Sequence, residues 1–203
     1  MDKILNLTMI LLLLIVIPGE SKPRELWITF FSEAITFPSF RLFRIPIHPG
    51  ISFGMAILTK QKNNHEHTFT IECGYFYAEL TGHTFILFPE YQWELIIRKV
   101  VMGTDIGLGY KHNIFARPVY KKIDRQYKKI IDWGSPQLML PIGLKIGYIF
   151  SHEIKVYIQY RSIGAFPFNL KGGLPIIPHT TFHIGVSFPV FFKNHKQDEN
   201  HAL

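Results

Sequence analysis

The chain has 203 residues, 47% of them hydrophobic and 15% aromatic, with one cysteine and a net charge of +7. That length suits one domain, and a single cysteine excludes an internal disulfide. The basic balance calls for an anionic neighbour, but no nucleic-acid motif accompanies it, so nucleic acid is set aside as the partner in favour of an anionic surface.

The chain opens on a secretory signal over residues 1–21. Lys3 supplies the positive start, Met9 to Ile17 the apolar run, and Gly19 and Ser21 the small residues that a signal peptidase reads. The run is about half the roughly 20 residues needed to span a bilayer, so it does not read as a permanent anchor. Cys73 is far from the cleavage region, which leaves no site for lipoprotein acylation.

From there to residue 192 the pattern is of strands and short breaks. Phe37 to Ile47 is the expected first strand, weakened by Pro38 and Pro46, which cannot donate to a ladder. It turns at His48-Pro49-Gly50 into Ile51 to Lys60, and a polar loop, Gln61 to His67, leads to Thr68 to Ala78. Thr84 to Ile97, Val101 to Phe115, Gln137 to Phe150 and Glu153 to Ala165 follow, with Ala116 to Ser135 as a long basic loop. The last strand, Thr180 to Phe192, alternates almost without error: Phe182, Ile184, Val186, Phe188, Val190 and Phe192 fall on one side, Thr181, His183, Gly185, Ser187 and Pro189 on the other.

Consecutive strands without a helical period predict an all-β, eight-stranded antiparallel up-and-down transmembrane β-barrel, closed so that neither edge is left open. Counting back from the last strand puts the long connections at one end and the short turns at the other, with both termini at the turn end. Residues 193–203 are a polar tail.

Sidedness decides what such a barrel is for. In Val101 to Phe115 and Gln137 to Phe150 the polar parity carries the glycines Gly103, Gly107, Gly109, Gly143 and Gly147. Glycine facing water would gain no packing, whereas inside a narrow barrel it makes room for long side chains opposite. The polar side is therefore the lumen. Tyr75, Tyr77, Tyr91, Trp93, Tyr110, Tyr148 and Tyr160 face out and suit interfacial girdles. The inward parity carries Glu72, Glu94 and Asp105 against Lys111, Lys145, Lys155 and Arg161, with Gln92 and Gln159 among them, and predicts a buried ion-pair network that plugs the barrel.

Ile106-Gly107-Leu108-Gly109-Tyr110, Ile47-His48-Pro49-Gly50 and the ending Pro178-His179-Thr180-Thr181-Phe182-His183-Ile184-Gly185-Val186 resemble a family of small, largely uncharacterised outer-membrane β-barrel proteins of Gram-negative bacteria. The resemblance runs from about His48 to Phe192. It implies a barrel and an outer-membrane location after signal cleavage, and no catalytic residues.

Other chemistries find little support. Ser151-His152-Glu153 has the residue types of a lipid A-modifying enzyme, but neighbours on a strand point to opposite faces. His65-Glu66-His67 lacks a third convincing metal ligand, and Gly107 with Gly109 matches only part of a nucleotide fingerprint. No metal or cofactor is expected, and the barrel is expected to be a monomer. The expected role is non-enzymatic, as a scaffold or surface-interaction protein in contact with outer-membrane lipid and lipopolysaccharide. Its candidate outward surface is Arg117, Lys121, Lys122, Arg125, Lys128 and Lys129, interleaved with Tyr120 and Tyr127. The rival classes are an outer-membrane lipid A-modifying enzyme and a soluble periplasmic lipocalin-like carrier.

Overall fold

The computed structural model describes residues 24–34, 48–79, 82–123, 126–130, 133–167 and 176–190. Its strands are β1 (Arg24–Ala34), β2 (His48–Lys62), β3 (His65–Ala78), β4 (Gly82–Ile97), β5 (Val100–Gly107), β6 (Gly109–Ile114), β7 (Val119–Ile123), β8 (Gln126–Ile130), β9 (Ser135–Ile149), β10 (Lys155–Pro167) and β11 (Ile177–Val190). β5 and β6 are one wall strand interrupted at Leu108, and both pair with β4 on one side and β9 on the other.

Every wall strand pairs antiparallel with its neighbours. β9 pairs β10, β10 pairs β11, and β11 pairs β1, which closes an eight-stranded barrel with no edge. Closure brings the last strand to the first, with Phe30 opposite Ile184 and Glu33 opposite Thr181.

The first strand corrects the sequence expectation. It is Arg24–Ala34, whereas Phe37 to Ile47 lies outside the described residues. The alternation of β1 is blurred because Trp27 and Phe31 point into the lumen along with Glu25, Thr29 and Glu33. Trp27 and Phe31 fit there because their neighbours across the pairing are Gly54 and Gly50, where any Cβ would strike the rings. His48-Pro49-Gly50 is likewise the start of β2 and not a turn, with proline in the first residues of the strand, where its missing N–H costs least.

The polar loop expected over Gln61 to His67 shrinks to Asn63-Asn64, with Asn63 in the left-handed region at φ 54°. Lys60, Gln61, Lys62 and His65 are strand residues at an exposed rim, where polarity does not signal a break. The other turns at this end are Arg98-Lys99 and a 3-10 turn over Ser151–Glu153. At the opposite end the long connection between β6 and β9 is not all loop, because β7 and β8 pair there into a separate two-stranded hairpin.

The wall is polar inside and apolar outside. Phe30, Phe53, Phe69, Leu87, Ile106, Leu144, Ile158 and Ile184 are exposed on the exterior, while Glu72, Glu90, Glu94, Asp105, Lys111 and Arg161 are buried. A water-soluble barrel has the reverse sidedness. This one suits hydrocarbon around it, because strands that pair with both neighbours leave no backbone polar group to face lipid.

Candidate functional site

The lumen is filled in tiers. Nearest the turns, Lys155 Nζ donates to Glu25 at 3.1 Å, Glu66 at 3.3 Å and Glu94 at 3.1 Å. Lys145 pairs with the other oxygen of Glu94 and donates to Gln92 at 3.0 Å, and Ser187 donates to Glu25 at 2.5 Å. The five charged groups of this tier come from five strands, β1, β3, β4, β9 and β10, so each is supplied by a different part of the chain.

The middle tier is centred on Arg161, whose side chain is 1% exposed. Its Nη1 and Nη2 hold Glu72 in a fork at 3.1 and 3.3 Å, Nη2 also reaches Glu90 at 2.8 Å, and Nε donates to Asp105 at 3.3 Å. The remaining oxygens of Glu90 and Asp105 accept from Gln92 at 2.5 Å and Gln159 at 2.6 Å. The planar guanidinium suits this task because its donors fan out in fixed directions. Gly143 completes the tier, since a Cβ there would collide with the Asp105 carboxylate.

Above Arg161 comes an apolar septum of Phe31, Phe76, Ile86, Phe88, Met139 and Ile163. Arg161 packs on one side of it, 5.1 Å from the Phe88 ring centre, and Lys111 on the other, 5.9 Å from that of Phe76. The gap beside the septum is about 10 Å³, room for a single water.

The outer tier is a chain of hydrogen bonds. Lys111 donates to His179 Nε2 at 2.6 Å, so the imidazole proton sits on Nδ1 and is given to Glu33 at 2.5 Å. The second Glu33 oxygen is 3.0 Å from His48 Nδ1.

All seven residues expected in the lumen, Glu72, Glu94, Asp105, Lys111, Lys145, Lys155 and Arg161, face inward. They do not form one network. Glu72 and Asp105 meet Arg161, Glu94 meets both lysines, and Lys111 lies across the septum, reaching its acid only through His179. The expected excess of bases is also reversed, because Glu25, Glu33, Glu66 and Glu90 join the lumen. Glu25 and Glu33 lie on β1, whose apolar pattern is blurred, and Glu66 lies in the polar stretch at the start of β3. Glu90 shares the parity of Gln92 and Glu94 on β4, which places it inside.

The outward basic residues are dispersed differently from a loop. Lys121, Lys122, Lys128 and Lys129 lie in the β7–β8 hairpin, where Lys121 is paired with Lys128 and Tyr120 with Lys129. Arg125 lies outside the described residues, and Arg117 makes an exposed ion pair with Glu79 at 3.5 Å.

The weaker motifs are separated by the wall. Glu66 points in to Lys155, while His65 and His67 are outside, stacked on Trp93 and 2.6 Å from the Tyr91 hydroxyl. Ser151 and Glu153 sit in the 3-10 turn. Gly107 and Gly109 flank the interruption at Leu108, and a Cβ at Gly109 would run into Phe88.

No protein-family model matches the chain, and no curated protein sequence does. Among solved structures it is similar to Neisserial surface protein A, with a TM-score of 0.51 and 8% identity over 85% of this chain and 98% of that one. The outer membrane enzyme PagL aligns over 82% of this chain and 99% of its own length, with a TM-score of 0.47 and 12% identity. The N-terminal β-barrel domain of Pseudomonas aeruginosa OprF covers 81% and 97%, with a TM-score of 0.43 and 10% identity. At 8% identity the likeness to the Neisserial protein carries the fold alone.

Proposed function

We propose that this chain is a non-enzymatic outer-membrane barrel with a plugged lumen, delivered by its signal segment, that acts as a scaffold or binds at the cell surface through its outward connections. The observation that carries the reading is the sidedness of the wall: charged tiers sealed by an apolar septum inside, and an apolar band outside.

That band has two aromatic borders. At the turn end His67 lies against Tyr91 and His65 against Trp93; at the other end Tyr75 lies 2.8 Å from His83 and Tyr110 2.7 Å from His112. From residue 67 to residue 75 is roughly 20 Å along the axis, at about 3.3 Å per residue and a tilt near 40°. That is close to the roughly 25 Å apolar band of outer-membrane barrels. Phe69, Ile71 and Cys73 fill the interval on β3.

The septum speaks for a plug, because an ion crossing it would lose its polar partners. The charged, filled lumen speaks against a lipocalin-like carrier, which needs an apolar cavity. The exterior histidines favour anchoring over acyl-transfer chemistry: among the described residues, His67, His83 and His112 each bond a tyrosine, and none is paired with a serine and a carboxylate.

Cell fractionation with gel analysis tests the proposal. The mature protein should partition with outer membranes and migrate differently before and after boiling, since closed barrels resist detergent unfolding. In planar bilayers it should carry no steady current. Recovery in the soluble fraction without detergent sinks the membrane reading, and a stable open channel sinks the plug.

A further inference from the structure

A groove of about 600 Å³ lies on the outside of the wall at the turn end, lined by Ile97, Arg98, Lys99, Val100, Met102 and Tyr148. Its floor is apolar, because Val100 and Met102 of β5 face outward beside Tyr148 of β9, the ladder pairing Val100 with Tyr148. Its rim is basic. The Arg98-Lys99 turn borders the floor, held in place by the hydrogen bond from Ile149 N to Lys99 O at 2.8 Å. Among the described residues neither Arg98 nor Lys99 has a carboxylate within ion-pair distance, so two exposed cations stand next to an apolar surface without internal compensation.

We infer that this groove seats one anionic glycerophospholipid of the leaflet surrounding the turn end, its phosphodiester headgroup against Arg98 and Lys99 and an acyl chain along Val100, Met102 and Tyr148. The inference rests on the membrane reading above and adds a ligand to it. Three observations select this occupant. The first is charge: both rim groups are cations, and a phosphodiester is the anion that occurs beside an apolar surface in a bilayer. The second is height. Leu95, which pairs with Met102, lies two positions beyond Trp93 toward the turn, so the floor begins at the aromatic border and the rim lies just past it, at headgroup level. The third is the backbone. Arg98 occupies the left-handed region at φ 56°, a conformation that is costly for a long side chain and that Asn63 fills at the neighbouring hairpin turn. A turn needing only to reverse the chain would not favour arginine there.

Photo-crosslinking reads the site locally. The mature barrel is inserted into phosphatidylcholine vesicles carrying a trace of diazirine-tagged phosphatidylglycerol or diazirine-tagged phosphatidylcholine, and adducts are mapped by peptide. Phosphatidylglycerol should label the segments holding residues 97–102 and Tyr148 at least about fivefold more than phosphatidylcholine, the preference that one basic side chain near an anionic headgroup supplies. Arg98→Gln with Lys99→Gln should bring the two lipids to parity. Lys60→Gln with Lys62→Gln, which removes equal charge from the adjacent turn, should leave the preference intact. Equal labelling in the parent, or equal loss in both double variants, overturns the groove as a site while the barrel, judged by heat-dependent migration, stays inserted. Failure to insert into vesicles of either lipid rejects the membrane reading and the groove with it.

Discussion

The two halves of the lumen are held together by different chemistry. Toward the turns, Lys155 and Arg161 each contact three carboxylates and Lys145 is bound to Glu94, so removing one of these cations leaves buried carboxylates without their partner. Toward the open end, Lys111 meets Glu33 only through an intervening imidazole. Breaking a buried ion pair leaves an uncompensated charge in a low-dielectric interior, while losing a single hydrogen bond leaves one unsatisfied polar group, which costs less. The inner half should therefore be the expensive one to break, and the outer half the more forgiving.

The largest expected effect is at Arg161. Arg161→Met removes the only cation that contacts Glu72, Glu90 and Asp105 among the described residues, and breaking a buried ion pair costs about 3–5 kcal/mol. With three acids stranded, the loss should reach the top of that range and show as a sharp fall in the urea midpoint of the vesicle-inserted barrel. Adding Glu90→Gln should recover part of the loss, since the coupling between neighbours is what a double change measures. A midpoint unmoved by Arg161→Met would remove the inner half from its place at the head of this ranking.

Next in size is a change that leaves both halves of the lumen untouched and tests the wall. Ile184 is 54% exposed on the outside of β11, and Ser187 is 2% exposed on the inside. Ile184→Arg should destabilise insertion by about 2–4 kcal/mol if that position lies near the bilayer midplane. Ser187→Arg should instead act by crowding the tier at Glu25. Tolerance of arginine at Ile184 equal to that at the exposed hairpin residue Lys129 would reject the facing assignment.

How far the sequence foretells these positions depends on what each strand packs against. β11 is legible because its partners let one parity be wholly large and apolar and the other small or polar. β1 is not, because Trp27 and Phe31 fill lumen space that Gly54 and Gly50 leave open, so apolar residues fall on both faces. The individual acids and bases of the lumen follow from parity once a strand is known. Their grouping does not, because the tiers depend on the stagger between strands, which brings Lys155 to Glu66 and Arg161 to Glu72 from opposite sides of the barrel. The β7–β8 hairpin is hidden for another reason. Its repeated Tyr-Lys-Lys-Ile has no apolar face of its own to mark a strand.

In the outer half, His179→Phe keeps the ring volume while deleting both hydrogen bonds. Glu33 retains His48, but Lys111 loses its acceptor in a buried site, which costs about 1–3 kcal/mol. The shift in urea midpoint should be smaller than for Arg161→Met. If the two are equal, the imidazole is as essential as the guanidinium and the contrast between the halves disappears.

The smallest effect sharpens the contrast by keeping the residue type fixed. Arg117 and Arg161 are both arginines paired with carboxylates, at 3.5 Å in one case and 2.8–3.3 Å in the other, yet the Arg117 side chain is 74% exposed and that of Arg161 1%. Water already solvates Arg117 and Glu79, so their pair is worth roughly 0–1 kcal/mol and is weakened further by salt. Arg117→Ala should therefore leave the urea midpoint nearly unchanged. Its effect should appear at the surface instead. If the outward basic residues bind anionic sugar phosphates, Arg117→Ala combined with Lys129→Ala should weaken retention on a phosphorylated-saccharide matrix and reduce its salt dependence, at unchanged stability. A clear loss of stability from Arg117→Ala would mean that the exposed pair carries more of the fold than its solvation allows, and unchanged retention by the double variant would detach these two residues from the surface role.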